Sequence, residues 1–287
     1  MEGEAMRRVE LQWLARGSCR HPEYMTMRGA SLCATDFPAM VGVIRHPERG
    51  IILFDTGYDP AFIEATRPFP ERLYRWTTPV RISPDLAWQT WLATHGIAAD
   101  EIAAVVVSHF HGDHVAGLRN LAGLPIHCSA AGLTELRRPG RLRRVRQGLL
   151  ADLVPADCDA DCSFFEDAPV VALPADFAPF TEGADILGDG SLIAVPLPGH
   201  CKGHWGLALR DRADRAVLLA GDASWSIDGI RRCVPPPRLT TALLGETRAY
   251  RDTLASLHAA LANNRALAIL PSHCSRAAAA YADGDAV

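Results

Sequence analysis

The amino-acid sequence predicts an α/β fold, and three features lead there. Short apolar or β-branched runs stop abruptly in loops, stretches of helical period lie between some of them, and neither kind dominates the 287 residues. Hydrophobic residues make up 48% of the chain, enough to fill a sizeable core. No internal repeat or long Gly/Ser linker interrupts it, so a single domain spanning 1–287 is expected.

Taken in order, the predicted strands are 51–54 (IILF), 104–107 (AVVV), 192–195 (LIAV), 216–220 (AVLLA) and 266–270 (ALAIL). Each is short, lacks polar alternation and ends at turn residues, the pattern of a strand buried on both faces. The segment 83–96, SPDLAWQTWLATHG, predicts a helix with a serine cap, proline at the first helical position and glycine at the end. A second helix is predicted over about 246–262, where Tyr250, Leu254, Leu257 and Leu261 share one face. Between them, 66–84 holds four prolines, four arginines and the aromatics Phe69, Tyr74 and Trp76, and reads as a loop, either a lid or a surface excursion. The run 137–146 carries six arginines before the chain turns acidic over 152–189; with no interleaved aromatics it reads as a solvated face paired with that acidic stretch. The tail, 276–287, is expected to fray.

A net charge of −4 argues against nucleic acid or an anionic membrane as the main partner and favours a small-molecule substrate. The start, MEGEAMRRVELQWL, mixes acids and bases where a secretory signal needs an apolar core, and the longest apolar runs reach about six residues. A membrane span needs about 18, so a cytoplasmic protein is expected. Eight cysteines without a C-x-x-C pair suggest reduced thiols rather than a zinc ribbon or disulfide framework. Cys201 and Cys274 each follow a histidine of interest, and as such neighbours are expected to be packing residues.

The densest chemical signal is SHFHGDHVAGL at 108–118. Alternation at the end of a strand puts His109 and His111 on one side, facing one ion. Gly112 is expected to let the backbone turn sharply, after which Asp113 and His114 face a second ion while VAGLRNL begins a helix. Neutral imidazole and carboxylate are the usual ligands of zinc. Four residues cannot hold two ions, and three further candidates each follow a predicted strand: His200 in PLPGHCKGH, Asp222 in GDASW and His273 in PSHC.

Together SHFHGDH, PGHCKGH, GDASW and PSH, preceded by ILFDTG at 52–57, resemble the metallo-β-lactamase superfamily over roughly 40–275. The resemblance implies a four-layer αββα sandwich with two metal ions per chain at one edge of the sheets, Zn2+ by default, since cobalt, manganese or iron could occupy the same ligands. It implies that one metal takes His109, His111 and His200, the other Asp113, His114 and His273, and that Asp222 bridges them. Asp55 in the DTG turn and His204 in PGHCKGH would support ligands without touching metal. Phe110 would form an apolar wall beside the site. His21, His46, His95, His127 and His258 have no such context and are expected to be surface or packing residues.

The implied chemistry is hydrolysis: two ions sharing a water whose pKa falls to around 7 yield a hydroxide, one metal polarises the carbonyl, and Asp113 passes a proton to the leaving atom. A bridging Asp222 disfavours the β-lactamases proper, His111 disfavours the flavo-diiron oxidoreductases, and the nucleases' extra domain and basic clamp are not seen. Order and spacing are most similar to the N-acyl-homoserine lactonases, so the expected substrate is a lactone or related ester. Those enzymes carry tyrosine three residues after the bridging aspartate, where this chain has Trp225. The alternatives are a glyoxalase-II-like thioester hydrolase, whose extra helical domain is not found here, and a metal-bound binding or accessory protein without turnover. A homodimer is compatible with the sequence.

Overall fold

The computed structural model describes residues 6–138 and 140–284. One sheet contains β1 (Glu10–Pro22), β2 (Ala34–His46), β3 (Gly50–Phe54), β4 (Val80–Arg81), β5 (Ile102–Val106), β6 (Ile126–Cys128) and β7 (Cys162–Phe164), in the spatial order β4-β1-β2-β3-β5-β6-β7. The other contains β8 (Val170–Ala172), β9 (Glu182–Asp185), β10 (Ile193–Pro196), β11 (Trp205–Arg210), β12 (Ala216–Gly221) and β13 (Ala268–Pro271), ordered β13-β12-β11-β10-β9-β8. The α-helices are α1 (Pro60–Ala65), α2 (Arg72–Thr77), α3 (Trp88–His95), α4 (Gly112–Val115), α5 (Ala130–Arg137), α6 (Arg141–Arg146), α7 (Ile227–Arg232), α8 (Arg238–Leu244), α9 (Thr247–Asn263) and α10 (Ser275–Ala282).

Strand periodicity explains the layering. Ile44, Ile52, Phe54 and Val106 of the first sheet pack with Ile193, Val195, Leu207 and Leu219 of the second. Their neighbours Val43, Ile51, Leu53 and Val105 face the opposite way, onto Phe62 of α1, Trp88 of α3 and Leu136 of α5. The second sheet's outer helices contribute Ile230 from α7, Leu254 and Leu257 from α9 and Tyr281 from α10. The result is the αββα sandwich. Each fully buried Leu or Ile stabilises by roughly 1.5–3 kcal/mol, so a one-residue slip in a central strand would cost far more than strand propensity can recover.

All five predicted strands are present within about two residues, and the second helix runs as expected from Thr247 to Asn263. Other expectations are corrected. The predicted 83–96 helix divides into a 3-10 turn at Pro84–Leu86 and α3, and Ser83 makes no capping bond. The cause is tertiary: Trp88 is fully buried, its indole N–H donates to the Thr56 carbonyl at 2.9 Å, and its backbone N–H points to Asp59. The helix expected after His114 ends at Val115. The Gly117 N–H, needed to continue it, donates to the Thr56 hydroxyl at 2.9 Å.

The tail does not fray over its described part. It forms α10, capped by Cys274 Sγ, with Ala277 and Tyr281 buried. Residues 285–287 of that expectation, and 1–5 of the N-terminal reading, lie outside the described residues. The 66–84 loop contains α2, and the arginine run includes α6. One of its arginines pairs with the acidic stretch, Arg137 with Asp159; Arg141 instead holds Glu71 beside α2. Among the described residues no helix is long and apolar enough to cross a membrane.

Candidate metal centre

Strand direction gathers the site. β3 and β5 are parallel, as are β12 and β13, and β10 runs the same way as β12 through two antiparallel steps. The loops after β3, β5, β10, β12 and β13 therefore open at one edge of the sandwich, bringing Asp55, His109–His114, His200, Asp222 and His273 together.

On one side, His109 Nε2 and His200 Nε2 each lie 3.0 Å from His111 Nδ1. Cys201 Sγ belongs to the same cluster, whose ligand atoms lie within 4.8 Å of one another. On the other side, His273 Nε2 is 3.4 Å from Asp113 Oδ2, and these two group with His114. Asp222 stands between the sides: Oδ2 is 3.2 Å from both His200 Nε2 and His273 Nε2, and Oδ1 is 3.3 Å from His114 Nε2. All seven side chains are buried.

Surrounding bonds orient these groups. Asp55 accepts from the Ser108 N–H at 2.8 Å, the Ser108 hydroxyl at 2.7 Å and His114 Nδ1–H at 2.8 Å, leaving His114 Nε2 to face inward. His273 Nδ1–H donates to the Pro38 carbonyl at 2.7 Å, and that likewise turns Nε2 toward Asp222. His204 Nδ1–H donates to Leu197 O at 2.9 Å, while its Nε2 accepts the Asp222 N–H at 2.9 Å. His204 thus fixes the backbone that carries Asp222, and burial lowers its pKa to about 4, so it stays a neutral acceptor. Gly221 has φ +53°, and a Cβ there would lie 2.7 Å from His204 Nε2, which explains glycine before Asp222.

Gly112 corrects an expectation. Its backbone is not left-handed; a Cβ would instead meet Phe62 Cε2 at 2.8 Å and Tyr74 Cε1 at 3.0 Å, so glycine serves close packing rather than a sharp turn. Phe110 also differs. Alternation through His109-Phe110-His111 turns it away from the two histidines into the core and a neighbouring cleft lined by Gly132 and Lys202.

The residues fit divalent cations. Burial, reinforced by neighbouring histidines, holds His109 well below the usual imidazole range, and burial likewise lowers His111 and His200, leaving the neutral form that ligates. Burial opposes charge on His114 and His273 too, but Asp222 and the other carboxylates outweigh it and raise both, and these histidines hold Asp222 well below the carboxylate range. His111 Nε2, His114 Nε2 and Asp222 Oδ1 are buried with no hydrogen-bond partner among the described residues. A cluster of buried carboxylates and inward-facing ring nitrogens lacking protein partners is what cation binding requires.

A cavity of about 290 Å3 opens onto His111, Asp113, His200 and Asp222. Trp225 lies on its wall, with its ring centroid 4.2 Å from that of His273 and 5.3 Å from that of Phe37. The 66–84 excursion contributes Tyr74, and β1 contributes Cys19 and His21. His21 thus lines the cavity instead of being the surface or packing residue expected, and Cys19, with no expected role, joins it. Both lie about 90 residues before the first ligand motif, on a strand whose mixed polarity carries no local signal. His46 instead packs, pairing with Asp189 at 3.0 Å.

The family model for the metallo-beta-lactamase superfamily matches residues 34–269. No curated protein matches the chain. Among solved structures, an N-acyl homoserine lactone hydrolase with the product N-hexanoyl-L-homoserine bound at its catalytic metal center superposes with a TM-score of 0.71 at 16% identity, covering 94% of this chain and 95% of that one. A B. thuringiensis AiiA mutant with N-decanoyl-L-homoserine bound at its active site gives 0.70 at 16% identity, with 94% and 95% covered. AidC, a dizinc quorum-quenching lactonase in complex with a product, gives 0.63 at 14% identity, with 95% and 90% covered. At these identities the likeness is one of fold.

Proposed function

Because the chain belongs to the metallo-beta-lactamase superfamily and is a metal-dependent hydrolase, we propose that it opens a lactone or a related ester with two zinc ions held by seven side chains. His109, His111 and His200 would hold one, Asp113, His114 and His273 the other, and Asp222 would be available to both. The observation that carries this reading is Asp222, whose Oδ2 lies 3.2 Å from His200 of one cluster and from His273 of the other, while Oδ1 lies 3.3 Å from His114. Cations bound there supply Lewis-acid polarisation of a carbonyl and acidify water to a pKa of about 7.

The chain's own residues do the rest. Asp113 lines the cavity and is nearly buried, so its carboxylate is placed to carry a proton to the leaving oxygen. Trp225 and Tyr74 wall the cavity and shield the substrate from bulk water. An indole N–H at Trp225 donates but cannot accept, which alters recognition of a lactone relative to a tyrosine hydroxyl. Support comes from the lactonase-like fold and the apolar cavity over the ligand cluster. The test is metal content per chain together with kcat/KM on a panel of lactones, thioesters and aryl esters. Two metals with lactone ring-opening sustain the reading; preference for thioesters replaces it with a thioester hydrolase, and bound metal without turnover on any ester overturns it.

A further inference from the structure

A second cleft, of about 560 Å3, adjoins the cavity over the metal ligands: Arg146, Leu243 and Leu244 line both. The two differ in chemistry. Where the first is walled by groups such as Met25, Val145 and Leu239, the second gathers Arg138, Arg143, Arg146 and Lys202 against two carboxylates, Glu135 and Glu246. Glu135 is buried and already shared by Arg143 at 3.0 Å and Arg138 at 3.4 Å. Arg146 and Lys202 have no acidic partner among the described residues. Lys202 is the chain's only lysine, set between His200 and His204 in the loop after β10. Two cations without acidic partners lining one concave surface select an anion.

We propose that this cleft receives a carboxylate or phosphate carried by the substrate away from the scissile bond, so that the preferred lactone or ester is acidic rather than a neutral acyl derivative. Arg146 stands where the two spaces meet and guides the anionic end past the ligand cluster, while Lys202 meets it from the His200 loop. The inference rests on the hydrolase reading for its choice of substrate, but the charge preference can be read by binding alone.

The experiment compares acyl lactones of equal chain length ending in methyl, carboxylate, phosphate or trimethylammonium, using the metal-loaded protein. Titration calorimetry on their ring-opened acids gives the same comparison without turnover. A roughly tenfold advantage in kcat/KM and in affinity for the anionic ends is expected, falling as salt is raised because the cations are exposed. R146Q and K202Q should each shrink that advantage severalfold, mainly through KM. The carboxylate and phosphate arms decide which anion is taken. Equal handling of methyl and anionic ends, or an advantage unmoved in both variants, overturns the proposal. If no lactone turns over while the anionic ligands still bind preferentially, the cleft stands and the lactonase reading falls.

Discussion

His114 Nδ1 donates to Asp55 Oδ2 across 2.8 Å, joining the turn after β3 to the ligand motif 59 residues later. Asp55 holds this position in a left-handed backbone conformation, φ 59°, that costs a non-glycine residue on the order of 1 kcal/mol. The carboxylate compensates by taking three hydrogen bonds, two from Ser108 and one from His114.

Asp55→Ala should therefore lower metal affinity by roughly 10–100-fold without removing a ligand. Competition with a chromogenic chelator measures this. Unchanged affinity would mean that packing alone orients His114.

Asp222→Ala should remove cations from both halves of the site and cut kcat/KM by roughly 100-fold or more, since loss of a shared ligand exceeds loss of a supporting contact. Metal analysis per chain gives the decisive readout. Retention of two metals at the original rate would exclude a shared role for this carboxylate.

Trp225→Tyr restores a hydroxyl beside the His273 ring. One added substrate hydrogen bond of about 1.4 kcal/mol would raise lactone kcat/KM by about tenfold. A fall on lactones, with a gain on another ester class, would point to a substrate that uses the indole.

Gly112→Ala should destabilise the fold by about 1–3 kcal/mol, because the new methyl meets Phe62 and Tyr74 within 3.0 Å. Denaturant unfolding of this variant and of G112A/F62L tests the cause. The second change should recover part of the loss; no recovery would place the strain in the backbone.

The Glu71 carboxyl is held below its ordinary value of 4.5, first by its hydrogen bond from Arg141, which ties the start of α2 to α6. A depressed folded-state pKa means that the tie is fully present above about pH 4.5 and is lost as pH falls through the depressed value. Protection of the amides over 72–77, taken relative to intrinsic exchange at each pH, should therefore fall below pH 4.5 in the parent protein. In Glu71→Gln that protection should already be low at neutral pH; equal protection in both would show that the ion pair does not secure α2.

Chemistry that is local in the chain could be read from residue type and order alone. Five apolar runs specified five buried strands because burial on both faces leaves no polar alternation, and each ligand motif followed such a run, so the seven metal-ligand candidates were legible from strand ends and residue type, and Asp55 only through the family resemblance. The structure departs from the helix expected over 83–96 and from the turn expected at Gly112 for one reason: local capping and glycine signals are worth about 1 kcal/mol, less than burying Trp88 or packing Phe62. Only the tertiary structure could decide that Tyr74, Cys19 and His21 share a wall with the ligands, that Phe110 faces a different cleft, and that Lys202 and Arg146 stand together. Those relationships join segments far apart in the chain, and they follow from how strands stack and loops cross, for which no short stretch of sequence carries a sign.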